Sequence, residues 1–212
     1  MSEPATDPTG TAPHPPLPYD ATTALVVVDL QNDFADPAGG LHVAGGERLA
    51  ELLAPEVRAA RDAGAVVAFT QDWHPPRTPH FVTDGGPWPV HCVAGTWGAE
   101  LVPGLDVRDG DPLVRKGTDG EDGYSGFSVR DPVTDDVART RLQRELDERG
   151  VVRVVVTGLA GDVCVAATAL DAVRLGYATV VPAALTRFVE AEPGDGDRAL
   201  LLLREAGVDV LT

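Results

Sequence analysis

The stretch VVRVVVTGLAGDVCVAATALDAVRLG, residues 151–176, passes through three patterns in a short span. It opens on a β-branched apolar run, turns through Gly158 and Gly161, and continues with helical periodicity from Asp162 to Gly176. A strand that is apolar at consecutive rather than alternate positions is one buried on both faces. An aspartate at the start and a glycine just past the end bound a helix. The unit is therefore strand, tight turn, helix, the repeat of a parallel sheet covered by helices.

Working outward, the same unit recurs along the chain. Further strand-like runs are TALVVVDL (23–30), AVVAFTQD (65–72), PLVRKG (112–117), YATVVPA (177–183) and GVDVLT (207–212). Helical stretches lie between most of them: 46–64, 136–150 and 195–207, the last two opening near an aspartate cap and all three closing on glycine. This alternation predicts an α/β fold, a doubly wound and mainly parallel six-stranded sheet with helices on both faces. The exception is the segment 72–112, rich in Pro, Gly and Trp and without periodicity. Long irregular segments inside compact domains are usually functional. In open α/β sheets, moreover, ligands bind outside the carboxyl ends of the strands.

Composition narrows the function. The first twenty-two residues carry six prolines and no Lys or Arg, which predicts a disordered or loosely packed tail before one domain over 23–212. That tail lacks the basic and apolar regions of a signal peptide, and no apolar run approaches the roughly 20 residues of a membrane span. A soluble, cytoplasmic protein is expected, with no membrane partner. A net charge of −16 argues against nucleic acid, and nothing in the composition excludes a homo-oligomer. Cys92 and Cys164 do not make a disulfide framework. There is no G-x-G-x-x-G after a strand and no P-loop.

Chemistry-bearing residues gather at the predicted strand ends. Cys164 follows its strand in the turn-to-helix arrangement of a nucleophile elbow, where the helix dipole favours a thiolate. The backbone N–H groups of Ala160 and Cys164 would form an oxyanion hole. Taken alone, Cys164 also reads as a small buried hydrophobe. Asp29 ends the first strand, and Lys116, the only lysine beside sixteen arginines, ends the third. A carboxylate to accept the thiol proton and a compact ammonium to stabilise the anion complete a Cys–Asp–Lys triad. Separately, Asp29 reads as an ordinary strand end and Lys116 as a snorkelling surface residue. In the long segment, TQDWHPPRTPHF (70–81) and WPVHC (88–92) bring Asp72, His74, His80 and His91 within a short span. Two or three imidazoles with a carboxylate suit a divalent transition metal. Asp72, His74 and His91, two histidines and one carboxylate, also match a non-haem iron oxygenase, a reading that leaves the triad unexplained.

Five motifs, VVVDLQNDF (26–34), TQDWHP (70–75), WPVHCVAGTWGAEL (88–101), RKGTDGEDGYSGF (115–127) and VTGLAGDVCVAATALDAVRLGY (156–177), resemble in order and spacing the nicotinamidase/pyrazinamidase branch of the isochorismatase-like cysteine hydrolases. The resemblance implies the family's Rossmann-like three-layer sandwich. It implies hydrolysis of nicotinamide to nicotinate and ammonia through a Cys thioester, in NAD salvage, with pyrazinamide also accepted. On that basis Asp29 is the base, Lys116 its lysine partner and Cys164 the nucleophile. Asp72, His74 and His91 become ligands to one divalent metal, zinc above all with manganese or iron as alternatives, and His80 sits where some members add a further ligand. Phe34, Trp88 and Tyr124 match positions that enclose the pyridine ring, and Leu159–Ala160 matches a cis peptide bond. Two departures stand out. Gly161 replaces a common threonine, and the segment before Tyr124 is about one residue longer than in some relatives. The alternative is a metal-independent amidohydrolase of the same fold acting on another small amide or carbamoyl compound.

Overall fold

The computed structural model describes residues 17–212. In chain order the elements are β1 (Thr23–Val28), α1 (Asn32–Ala35), α2 (Leu49–Asp62), β2 (Val66–Asp72), β3 (Leu113–Lys116), β4 (Ser128–Arg130) and β5 (Val137–Arg139). They continue with α3 (Leu142–Asp147), β6 (Arg153–Leu159), α4 (Cys164–Arg174), β7 (Ala178–Pro182), β8 (Thr186–Arg187), α5 (Asp195–Glu205) and β9 (Asp209–Leu211). The sheet runs β3-β2-β1-β6-β7-β9, with β8 extending the β6 edge beyond β7. Every pairing in it is parallel.

The consecutive apolar residues of β1 are divided between two cores. Ala24, Val26 and Val28 face α3, α4 and α5 through Leu142, Leu146, Val165, Ala169 and Leu203. Leu25 and Val27 face α2 through Leu49, Leu53, Val57 and Ala60. Both faces of the strand are buried, which gives the expected three layers. From β1 the chain winds outward through β2 and β3, then returns to lay β6 against the other side of β1. The winding therefore reverses between β1 and β6, and a crevice opens beyond their carboxyl ends. Gly158 keeps these strands close: at φ +104°, its backbone leaves only 2.1 Å between a built Cβ and the Val28 carbonyl oxygen.

Some local expectations need correction. No helix starts at Asp136. Residues 137–139 form β5, antiparallel to β4, and β5 is exposed throughout. Helical burial begins only with Leu142 and Leu146, a four-residue spacing that faces the core. The Thr140 hydroxyl accepts from Leu142 N at 3.2 Å just ahead of that helix. Nor does Asp162 cap α4: its carboxylate accepts from Val189 N and Glu190 N, each at 2.9 Å, and so ties the segment after β8 to the turn. The Asp195 side chain likewise leaves α5 uncapped. The glycines that close the helical stretches, Gly64, Gly150, Gly176 and Gly207, do take left-handed φ between +71° and +94°.

Of the segment read as a tail, residues 1–16 lie outside the described residues. Residues 17–22 are held against the domain. Leu17 N and the Tyr19 hydroxyl donate to the buried Glu56 carboxylate on α2 at 3.4 and 2.8 Å, and Arg153 donates to the Pro18 carbonyl at 2.6 Å. Among the described residues, no helix is long and apolar enough to cross a membrane. Cys92 and Cys164 are both free thiols.

Candidate active site

The crevice between β1 and β6 collects the residues singled out above. Asp29 leaves β1 at φ +45°, a left-handed conformation uncommon outside glycine. Thr70 of β2 fixes it twice: Asp29 N donates to the Thr70 hydroxyl at 3.1 Å, and that hydroxyl donates to Asp29 Oδ1 at 2.5 Å. Lys116, wholly buried at the end of β3, places Nζ 2.7 Å from Asp29 Oδ2 and 2.8 Å from Asp72 Oδ1. It also donates to the Gly123 carbonyl. Cys164 opens α4, and its sulfur lies within 4.8 Å of carboxylate oxygens of both Asp29 and Asp72. The snorkelling reading of Lys116 and the strand-end reading of Asp29 are thereby set aside.

Burial and charge together set the protonation states. Burial pushes the Asp29 carboxyl up to about 6, with Lys116 pulling it down and Asp72 adding to the rise. Against the upward push of burial, the Lys116 ammonium holds Asp72 well below the carboxylate range. Burial works to lower the Lys116 pKa, but Asp29 and Asp72 more than offset it and keep the ammonium charged. Burial raises the Cys164 thiol well above its ordinary value, and the Asp29 carboxylate adds to this against the pull of Lys116. The resting pair is thus a neutral thiol beside a buried carboxylate of raised basicity, arranged to pass a proton when a substrate arrives.

A few ångströms away, ring nitrogens of His74, His80 and His91 lie within 4.8 Å of one another, all three side chains buried. The backbone brings them together by prolonging β2: His74 N donates to the Cys92 carbonyl at 3.0 Å and Ala94 N donates back to His74 at 2.8 Å. Asp72 Oδ2 is 3.8 Å from Nε2 of both His74 and His91. His91 Nδ1 is 2.7 Å from the Pro89 carbonyl, which can only accept. The proton therefore sits on Nδ1, and Nε2 carries a free lone pair. His74 has no hydrogen-bond partner at either nitrogen although it is buried. Three imidazoles, a carboxylate and an unpaired buried donor fit a divalent transition metal.

Phe34, Trp88 and Tyr124 line one cavity together with Cys164, Asp72, His80, His91 and Ala160. Trp88 Nε1 donates to the Tyr124 hydroxyl at 2.9 Å, so the longer segment before Tyr124 still delivers that ring to the pocket. The Leu159–Ala160 peptide is cis. Among the described residues, no protein acceptor takes the Ala160 N–H or the Cys164 N–H. Gly161 packs against Phe188, where a built Cβ would lie 2.5 Å from the ring. A threonine there would have to displace the Phe188 ring.

Sequence reasoning missed several supporting residues. Thr70 is one. Gln31 is another: its side-chain oxygen accepts from Asp72 N at 2.8 Å and its amide donates to the Asp72 carbonyl at 2.8 Å, clamping the backbone at both atoms. Asp33 accepts from Cys92 N at 2.6 Å and fixes the segment that carries His91. The available signal was a run of polar residues, Asp29 and Gln31 to Asp33, directly after a buried strand.

The isochorismatase domain model matches residues 23–212. The chain belongs to the isochorismatase-domain family. Within that family it is 40% identical over 193 residues to the nicotinamidase/pyrazinamidase of Mycobacterium tuberculosis, covering 89% of this chain and 97% of that one. Among solved family structures, the Pyrococcus horikoshii pyrazinamidase in complex with zinc superposes with a TM-score of 0.80 at 34% identity, covering 90% of this chain and 99% of that one. PnC1 from L. infantum in complex with nicotinate superposes with a TM-score of 0.83 at 36% identity, covering 93% and 96%. The resemblance to the nicotinamidase/pyrazinamidase branch holds, and with it the expectations of the fold and of an amidohydrolase.

Proposed function

We propose that the protein hydrolyses nicotinamide to nicotinate and ammonia through a thioester on Cys164, accepts pyrazinamide as well, and serves NAD salvage. One observation carries the reading: Cys164, backed by Asp29 and Lys116, and His80 and His91 of the histidine cluster line the same aromatic-walled cavity. A carbamoyl hydrolase would leave the three buried imidazoles without a task.

The ring seats between Phe34, Trp88 and Tyr124, with its carboxamide carbon toward Cys164; such orientation supplies a large part of a barrier reduction. Asp72, His74 and His91, joined by His80, would hold the metal, with zinc the first choice. When bound, that metal supplies a Lewis-acidic anchor for the pyridine nitrogen. Asp29 takes the thiol proton as the Cys164 sulfur bonds to the carbonyl carbon. The Ala160 and Cys164 N–H groups receive the developing oxyanion. Lys116 stabilises the negative charge that passes between Asp29 and the sulfur. As the tetrahedral adduct collapses, the C–N bond breaks and Asp29 returns its proton to the leaving nitrogen, releasing ammonia. Asp29 then takes a proton from water, whose oxygen attacks the thioester carbon. The C–S bond breaks, nicotinate leaves, and that proton returns to the Cys164 sulfur.

Ammonia release from nicotinamide, with metal content measured on the same samples, tests this. Cys164→Ala is expected to abolish release while keeping the fold and the metal. Release that survives in Cys164→Ala, or none from folded, metal-loaded wild type, overturns the reading.

A further inference from the structure

We infer that Asp122 is a positioning residue for His80, holding its imidazole as an Nε2 ligand to the metal centre; the inference rests on the metal reading proposed above. Asp122 lies within the 115–127 motif, and no role has been given to it so far. Its Oδ1 lies 2.8 Å from His80 Nδ1, with both residues buried. An ionised carboxylate only accepts, so Nδ1 carries the proton and Nε2 holds the lone pair. The His80 ring stacks on His74 with centroids 4.6 Å apart and meets His91 at 5.5 Å, so it stands within the histidine cluster. A carboxylate behind a ligating histidine fixes the tautomer, orients the ring and raises its basicity.

The fold braces Asp122 from two sides. Its N–H donates to the Arg130 carbonyl at 2.7 Å, and Arg130 N donates back at 3.0 Å. Arg130 ends β4, so the small β4–β5 hairpin, which stands apart from the main sheet, acts as a backstop for this carboxylate. The Arg130 guanidinium lies 3.7 Å from Asp122 Oδ2, on the side away from the histidine contact. From the other direction, the Thr78 hydroxyl accepts from His80 N at 3.2 Å and donates to the Gly120 carbonyl at 3.2 Å, linking the two loops. The three imidazoles are thus set differently. His91 leans on a carbonyl of its own loop and His74 has no hydrogen-bond partner, while His80 depends on a carboxylate from another loop.

The test uses the full chain and two readouts. In metal-free protein at pH 8, imidazole ¹⁵N shifts should show His80 as the Nδ1–H tautomer in wild type and a mixture in Asp122→Ala. A purely structural role for Asp122 would not move that signal. Zinc affinity, measured by chelator competition, should fall about 10- to 100-fold in Asp122→Ala. Asp122→Asn preserves shape and an acceptor and guards against misfolding; it should keep the tautomer and lose less affinity. An unchanged tautomer in Asp122→Ala, with zinc affinity within twofold of wild type, overturns the inference and leaves the metal reading intact. A wild type that binds no zinc overturns both.

Discussion

Replacing Lys116 with methionine shortens the side chain by one heavy atom and removes its charge. The consequences follow from what surrounds Nζ. Asp29 Oδ2 stands at 2.7 Å, Asp72 Oδ1 at 2.8 Å, and the Gly123 carbonyl completes the set, with the lysine fully buried. Without the ammonium, two buried carboxylates face each other across less than 5 Å. Removing one partner of a buried ion pair costs about 3–5 kcal/mol. At roughly 2–4 °C per kcal/mol for a domain of this size, metal-stripped Lys116→Met should melt about 6–20 °C below wild type at pH 7.

The same change disables the base. Asp29 already stands near 6 with Lys116 pulling it down, so losing the lysine pushes it further up and leaves it protonated at neutral pH. A lost general base is worth about 10²–10⁴ in rate, and kcat/KM should fall by at least the lower figure. The sign of the pH effect follows. A carboxyl whose folded pKa is raised contributes stability below its unfolded pKa and loses it as pH rises through the folded value. The melting deficit of Lys116→Met should therefore be larger at pH 8 than at pH 5. Lys116→Arg keeps the charge but forces a planar fork into a closed site. It should lose activity as well, with a milder overpacking penalty of about 1–3 kcal/mol. Calorimetry on metal-stripped protein and nicotinamide kinetics on loaded protein read both effects. A Lys116→Met protein that melts within 2 °C of wild type, by the ~2–4 °C per kcal/mol scale, and turns over normally would refute the electrostatic argument.

Two further outcomes are expected. In wild type, kcat/KM for nicotinamide should fall with unit slope below about pH 6 as Asp29 protonates, burial having raised it there; a profile flat to well below that value, with metal occupancy verified at each pH, would remove Asp29 as the base. Gly117 sits at φ +75°, and a built Cβ would lie 2.5 Å from His74 Cε1 and Nδ1, so Gly117→Ala should weaken zinc binding and lower the melting temperature. Gly120→Ala, at φ +90° with its nearest neighbour 3.7 Å away, should show only the backbone strain of about 1–2 kcal/mol; equal zinc affinities in the two variants would contradict the steric reasoning.

Sequence patterns carried the features whose physics is local. β1 and β6 announced themselves because burial on both faces favours apolar residues at consecutive positions, and their helices because a left-handed glycine marks each end. The hairpin of β4 and β5 escaped because β5 is exposed on both sides and has no apolar period to read, so its residues were absorbed into a helix that starts later. Asp162 looked like a cap because aspartate beside a helix start usually is one; here two amides from the far side of β8 compete for the carboxylate and win it. The site divides along the same line. Cys164, Asp29, Lys116 and the histidines stood out because their residue types are chemically uncommon and their positions follow from strand ends. Thr70, Gln31, Asp33 and Asp122 are ordinary polar residues, each of which acquires its role from a partner some forty or more residues away. His80 shows the limit most clearly. The resemblance left it optional among the ligands, and a histidine in a loop takes either tautomer freely. The carboxylate behind it selects the tautomer, and the backbone bonds between Asp122 and Arg130 of the hairpin hold that carboxylate in place.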